Sequence, residues 1–252
     1  RRLSSAASDV YKRQDLHNHL SGAVYAESYL QWASEDGKCI DLKTNVITPP
    51  PCDGTISLKQ LMADGSTQPL EPIIDALSVR NFERRSVSGH DQFFATFSRF
   101  QTAALGRFGD MVAEARQRAG RQNMLYLELM ISLGMLDVIR LAASSGRLDA
   151  PFGERIDHAK VDEIVSQVTT QFDAIEARQQ RLLGCNEQSQ TSAVGCDVTV
   201  RFQAQVLRTF APIEVYAQTL LAVKLMQADA RVVALNFLSL IHISEPTRQV
   251  LI

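Results

Sequence analysis

The sequence predicts an α/β fold that forms the N-terminal half of a (β/α)8 barrel of the TIM type, with a long insertion after the first strand. Short apolar strand patterns alternate with helical patterns along most of the 252 residues, which is the arrangement of βαβ units in a parallel sheet. Four such strand patterns follow one another. Because a closed barrel requires eight strands over roughly 250 residues, we expect about half of the barrel here.

The opening of the chain contains the first strand and helix of this pattern. Residues 16–20 are predicted as a strand. Residues 26–35 are predicted as a helix, because their apolar side chains are spaced for one helix face. Asp36-Gly37 follows as a stop signal.

A long interruption follows over residues 38–72, with a run of three prolines at 49–51 and a short helix predicted over 57–62. A connection of this length inside a compact domain is usually functional, disordered, or an insertion with its own small structure. Two interpretations stay open: a lid beside the first strand, and a surface insertion without catalytic consequence.

The alternation of helices and strands then continues to the end of the chain. In order, we predict helices over 73–78, 91–105 and 108–119, a strand over 123–130, helices over 133–144 and 161–183, a polar loop over 184–195, a strand over 198–207, a helix over 213–227 and a strand over 232–237.

The segment DLHNHLSGA, residues 15–23, carries the clearest chemical signal. Residues i and i+2 of a strand share a face, so His17 and His19 can present two imidazoles to one point. At the carboxyl end of a barrel strand that point is the barrel mouth, where such folds place their active sites. Neutral imidazole is a preferred ligand of zinc. The motif therefore predicts a metal site.

The string HNHLSGAVYAES, residues 17–28, resembles the opening motif of the adenosine deaminase family, especially its secreted growth-factor-type and related bacterial members. GHDQFFATF, residues 89–97, looks like the family's helix whose aromatic face lines the nucleoside pocket. LYLE, residues 125–128, is similar to its second-strand motif, and residues 198–237 are similar in layout to its third strand, helix and fourth strand. Most of residues 15–237 is covered, and the histidine motif is the specific part.

The resemblance implies a zinc-dependent hydrolase of purine metabolism that converts adenosine or deoxyadenosine to the inosine product and ammonia. In the family, the third histidine ligand, the catalytic glutamate, a second histidine and the metal-binding aspartate all lie after the fourth strand. We therefore expect no catalytic residue before Phe237 and no activity from this chain by itself. The site residues that the resemblance implies are the metal ligands His17 and His19 and the substrate contacts His19, Ser21, Gly22, Phe93 and Phe97.

Two positions depart from the family pattern. Ser21 stands where many members carry an aspartate that contacts the ribose, and Met130 stands where an arginine commonly follows the second-strand glutamate. Either departure could indicate an altered substrate. Two alternatives therefore stay open: a related barrel deaminase acting on adenine, a modified adenosine or a nucleotide, and a non-catalytic growth-factor-like binding protein with the same fold.

Several of these residues also have a purely structural interpretation. Phe93 and Phe97 share a helix face and could stack on a purine, but apolar residues at this spacing usually face a core. His90 and Asp91 are better explained by a helix start than by proton transfer. For Glu128 on its strand, our hypothesis is a hydrogen bond that orients a metal-binding histidine.

Both ends of the chain are expected to be foreign to the protein. Residues 9–14 can be encoded by GAT GTG TAT AAG AGA CAG, and the reverse complement of that string encodes the amino acids of residues 238–243. The longer strings at 4–14 and 238–248 resemble translated sequencing-library adaptors. Segments of this kind are excluded from reasoning about the fold. We therefore expect residues 1–14 and 238–252 to be adaptor-derived and residues 15–237 to be a partial barrel domain.

The charge balance restricts the kind of partner. The chain has a net charge of −2, and residues 1–14 contribute +3 of it, so residues 15–237 carry −5. Nucleic-acid and anionic membrane surfaces require clustered Lys and Arg, and no such cluster occurs. We expect a small-molecule purine nucleoside as the ligand, without nucleic acid or membrane.

Four cysteines lie in polar or turn-rich segments without the C-x-x-C spacing of a metal site. Local disulfides between Cys39 and Cys52 and between Cys185 and Cys196 would suit an oxidising compartment. Free thiols are an equal alternative, so the sequence leaves the compartment open, with a periplasmic or secreted location among the options.

Overall fold

A computed structural model of the chain describes residues 13–63, 70–84, 86–146, 149–185 and 193–238. The chain divides into two compact units. The sheet unit consists of the residues up to Leu20 together with those from Val112 onward, and the insertion unit consists of Ser21–Met111. Of the two ends expected to be adaptor-derived, only residues 13, 14 and 238 are among those described.

The described parts of the chain contain both helices and strands. The strands are β1 (Gln14–His19), β2 (Cys39–Asp41), β3 (Val46–Thr48), β4 (Ile56–Ser57), β5 (Tyr126–Ile131), β6 (Thr199–Leu207) and β7 (Val232–Leu238). The helices are α1 (Ala26–Glu35), α2 (Leu58–Ala63), α3 (Glu71–Ala76), α4 (Gly89–Ala104), α5 (Phe108–Arg121), α6 (Met135–Ala143), α7 (Phe152–Arg155), α8 (His158–Leu183) and α9 (Pro212–Ala228), with 3-10 turns at Leu20–Ala23 and Phe82–Arg84.

The sheet unit is built on four strands in the order β1-β5-β6-β7, and every neighbouring pair is parallel. This confirms the predicted α/β class and the four predicted strand positions. The first strand ends one residue earlier than predicted, because Leu20 already belongs to a 3-10 turn. It also begins two residues earlier, at Gln14. The short helix α7 was not predicted.

Helices cover one face of this sheet. Helix α9 contacts β6, β7, α6 and α8, and the ring of Phe172 on α8 lies 4.7 Å from that of Phe202 on β6. The strand residues on this face are apolar and buried, among them Leu127, Leu129 and Val206. Burial of apolar area against the helices is the main force that holds the layers together.

The longest helix of the sheet unit, α8, shows why it begins and ends where it does. Asp157 precedes it, and its Oδ1 accepts hydrogen bonds from the amides of Ala159 and Lys160, which satisfies two of the free N–H groups of the first turn. This cap explains a start three residues before the predicted Val161. The helix ends at Leu183, and the next residue, Gly184, has a φ of 68°, which is the left-handed conformation of a C-terminal cap.

The insertion unit has a small core and sheet of its own. Strands β3, β2 and β4 form an antiparallel sheet, and α1 contacts α2, α3 and α4. Tyr29 stacks on Phe100 with ring centroids 4.4 Å apart and meets Trp32 edge-on at 5.6 Å. Residues 38–72 therefore include independent structure, one of the three outcomes expected of so long a connection.

Both cysteine pairs form disulfides. One joins Cys39 of β2 to Cys52, and the other joins Cys185, just after α8, to Cys196, just before β6. The sequence left open whether these cysteines form the two local disulfides or are free thiols, and the structure has the disulfides. Across the described ranges, no helix has both the length and the apolar character needed to span a bilayer.

Candidate metal centre

An irregularity in β1 sets the geometry of the histidine motif. Asp15 pairs with Leu127 of β5, and Asn18 pairs with Leu129. Three residue steps along β1 therefore correspond to two steps along β5. Strand β1 therefore holds one extra residue at this point, which is the arrangement of a β-bulge. Such bulges often redirect side chains next to functional sites.

The side chain of Asp15 stabilises this bulge. Its Oδ1 accepts a hydrogen bond from the amide of His17 at 3.1 Å, and its Oδ2 accepts one from the side-chain amide of Asn18 at 2.8 Å. Both donors lie within three residues of the aspartate. Asp15 therefore constrains the segment that carries the histidines through local contacts.

His17 and His19 lie side by side at the carboxyl end of β1. Their ring centroids are 5.4 Å apart, and the ring planes are inclined by 77°. His17 is exposed, whereas His19 is half-buried. The two rings are therefore neighbours, although a bulge interrupts the regular alternation from which a shared strand face was argued. Their role as metal ligands stays a prediction.

A glutamine holds the buried histidine. Nδ1 of His19 lies 3.2 Å from Oε1 of Gln205 on β6. Burial lowers the pKa of His19, the hydrogen bond with Gln205 raises it, and the neighbouring His17 lowers it; the net result is a pKa below the ordinary value. The imidazole of His19 is therefore neutral near pH 7, which is the form that binds a metal.

The hydrogen bonds of Glu128 go to Tyr126 and Gln203 and not to His17 or His19, so its role beside a metal-binding histidine stays a prediction. Its carboxylate accepts hydrogen bonds from the hydroxyl of Tyr126 at 3.0 Å and from Nε2 of Gln203 at 2.5 Å. The same Nε2 donates to the carbonyl of Leu16 at 3.0 Å. Glu128 therefore acts on the backbone at the bulge through Gln203, and the histidine contact belongs to Gln205.

We call His19, Tyr126, Glu128, Gln203 and Gln205 the polar face of the sheet. The two glutamines had no role in the sequence prediction, although a signal was present. In VRFQAQV, residues 200–206, apolar residues alternate with one arginine and two glutamines. Strands of an entirely buried parallel sheet are usually apolar on both faces, so this alternation marks a sheet face with another use.

Ser21 and Gly22 lie in the 3-10 turn that follows β1. The carbonyl oxygen of Ser21 accepts a hydrogen bond from the hydroxyl of Tyr29 at 2.8 Å, which ties the turn to α1. Gly22 is exposed. The turn thus begins directly after His19 and is fixed through its backbone.

Phe93 and Phe97 lie on α4 of the insertion unit. Their ring centroids are 5.1 Å apart, and Phe97 also lies 5.4 Å from the buried Phe100. Both are half-buried, so each contributes to the core of this unit while keeping part of its ring surface accessible. Their contact with a purine stays a prediction.

His90 and Asp91 belong to the start of α4, as their structural interpretation predicted. The hydroxyl of Ser88 accepts a hydrogen bond from the amide of Asp91, and Nδ1 of His90 lies 3.0 Å from Oδ1 of Asp91. These contacts, with that of His90 the larger, lower the pKa of Asp91. A carboxylate in the first turn also interacts favourably with the helix dipole.

The histidine pair fits one part of a zinc site. With Zn–N bonds of about 2.0 Å and tetrahedral angles, two ligating imidazoles have centroids roughly 5 Å apart, and the observed 5.4 Å is close to this. Within the described ranges, no group of three or more His, Cys, Asp or Glu side chains is arranged to hold a metal. The described residues therefore supply two ligands and not a complete set.

Comparisons with protein-family models, with curated proteins and with solved structures found no match to the chain.

Proposed function

We propose that the chain carries the first two ligands of a catalytic zinc site in a hydrolytic deaminase of the adenosine deaminase type. The observation that carries this proposal is the pair of imidazoles at the carboxyl end of β1, 5.4 Å apart. The four-stranded parallel sheet is, on this proposal, one half of a (β/α)8 barrel, which opens at the carboxyl ends of its strands. The histidines would then lie at the mouth.

Three features of the site support a metal role over a structural one. His17 is exposed although it lies on a sheet strand, and His19 is neutral near pH 7 because its pKa is lowered. The bulge in β1 is fixed by Asp15 on one side and by Gln203 on the other. Metal-binding residues are commonly held by hydrogen bonds of this kind.

The chemistry divides between the metal and the residues of the chain. A bound zinc ion would supply a water of lowered pKa for attack on the purine carbon that carries the amino group. His17 and His19 would hold that ion. The resemblance assigns the nucleoside contacts to Ser21, Gly22, Phe93 and Phe97, all of which belong to the insertion unit.

The proposed function is tested on the gene that encodes residues 15–237. We expect its reading frame to continue, beyond the codon of Phe237, into a further histidine, a glutamate and an aspartate. The protein so encoded is expected to release ammonia from adenosine, and the variants His17→Ala and His19→Ala are expected to lose this activity. A third and usually a fourth ligand group are needed for a catalytic zinc site, so the 252-residue chain should show no turnover.

Three results would contradict the proposal. They are a reading frame without these acidic and histidine residues, an encoded protein that binds nucleosides without converting them, and turnover by the 252-residue chain above that of its His17→Ala variant. The variant His158→Ala serves as the control, because His158 lies on α8 and its Nε2 contacts the carbonyl of Gly153. Its loss should leave turnover unchanged.

A further inference from the structure

The contact between His19 and Gln205 crosses a strand. The sheet order is β1-β5-β6, so Gln205 reaches over β5 to meet a histidine 186 positions earlier in the chain. Gln203, two residues before it on the same face of β6, reaches over β5 in the same way to the carbonyl of Leu16. Two glutamines of one strand therefore hold the histidine segment of another.

The nitrogen that Gln205 engages determines which nitrogen is left for a metal. A neutral imidazole has one N–H donor and one nitrogen with a lone pair. If Oε1 of Gln205 accepts a hydrogen bond from Nδ1–H of His19, the lone pair is on Nε2. If the amide instead donated to Nδ1, Nε2 would carry the proton and could not bind a metal.

We propose that Gln205 is a positioning residue that holds His19 as the Nδ1–H tautomer and so presents Nε2 to the metal. The orientation of the amide, with Oε1 at 3.2 Å from Nδ1, supports this assignment. The inference rests on the proposed function for the metal, but the tautomer of His19 is a property of the metal-free chain and is measured separately.

The test is a long-range 1H–15N correlation spectrum of the histidine rings of the metal-free chain at about pH 8, where ordinary histidines are neutral. Two other histidines give internal references. Nε2 of His158 faces a carbonyl oxygen, and Nδ1 of His90 faces a carboxylate. Because both partners only accept, we expect the Nε2–H pattern for His158 and the Nδ1–H pattern for His90. The variant His19→Ala identifies the signals of His19.

We expect His19 to show the same pattern as His90. Gln205→Leu keeps the size of the side chain and removes the acceptor, so the Nε2–H form of His19 should appear. Gln205→Glu keeps an acceptor and should preserve Nδ1–H. Zinc affinity should fall by about 10- to 100-fold in Gln205→Leu and much less in Gln205→Glu.

An Nε2–H pattern for His19 in the unmodified chain would overturn the proposal. So would a Gln205→Leu variant with an unchanged spectrum and unchanged zinc affinity. If the spectra behave as expected but the protein encoded by the gene that contains residues 15–237 does not deaminate adenosine, the positioning of His19 by Gln205 is supported and the proposed function fails. The two ideas are therefore tested by separate measurements.

Discussion

Asp15 and Gln205 control different aspects of the same histidine pair. Asp15 accepts hydrogen bonds from the segment that holds His17, and so determines the backbone conformation at the bulge. Gln205 contacts the ring of His19, and so determines its orientation. Each side chain acts over about 3 Å, and the spacing of 5.4 Å between the histidine rings reflects both.

Gly134 is a residue on which the packing of the sheet unit depends. It precedes α6 with a φ of 69°, and an added Cβ would lie 2.8 Å from Val168 and 2.9 Å from Ile164, both on α8. Gly134→Ala therefore combines a left-handed backbone with a side-chain clash. We expect it to lower the free energy of unfolding by about 2–4 kcal/mol, measured by chemical denaturation.

Gly146→Ala is the matched control for this substitution. Gly146 has no atom within 4 Å of an added Cβ, so alanine should change stability by less than about 1 kcal/mol. Equal effects at the two positions would mean that the close approach of α8 to Gly134 does not exist in solution.

Sequence patterns predicted single elements better than the contacts between them. Helix α1 has the predicted bounds, because its apolar spacing and its Asp36-Gly37 stop are local signals. Strands β2, β3 and β4 have two or three residues each, too few to show an alternation. The Gln205 contact joins residues 186 positions apart, and no local pattern on either strand indicates its partner.

The segment between α9 and β7 is attached to α8 by a charged cluster. The guanidinium of Arg231 pairs with Asp229 at 2.7 Å, and on α8 with Asp173 at 2.7 Å and Glu176 at 3.1 Å. It also lies over the ring of Phe172. Because Asp229 is buried while the α8 carboxylates are exposed, we expect most of the ionic stabilisation to come from Asp229.

This cluster predicts a pH dependence of stability. Burial raises the pKa of Asp229, whereas the hydrogen bonds from Arg231 and its positive charge lower this pKa. The lowering is the larger effect, so the pKa of Asp229 in the folded protein lies below the ordinary value. The stabilisation by ionised Asp229 is therefore complete at a pH above the pKa that this residue has in the unfolded chain. It is lost as the pH falls through the pKa of Asp229 in the folded protein. Asp229→Asn should cost about 1–3 kcal/mol at pH 7, and the difference should shrink towards pH 3.

The exposed pair of Asp137 and Arg140 on α6 gives the comparison for this prediction. Its two side chains are 52% and 74% exposed, and such pairs contribute little. Asp137→Asn should change the free energy of unfolding by less than about 0.5 kcal/mol at either pH. An Asp229→Asn variant as stable as the parent at pH 7 would contradict the role given to the buried aspartate.

At the scale of the whole molecule, the sheet has two faces of different character. One face is apolar and covered by helices, and the other is the polar face with His19, Glu128 and the two glutamines. The parallel order of the strands was predictable, because it follows from the alternation of strands and helices. The use of the polar face could not be predicted, because it depends on side chains of three strands that meet only after folding.

The central claim is that His17 and His19 bind one metal ion together. X-ray absorption at the zinc edge, on the chain loaded with one equivalent of zinc, measures the number of imidazole ligands directly. The account predicts two histidine nitrogens at about 2.0 Å, one fewer in either His17→Ala or His19→Ala, and no change in His158→Ala. A zinc spectrum without imidazole scattering would contradict this claim. Imidazole scattering that is lost in His158→Ala but retained in His17→Ala and His19→Ala would contradict it as well.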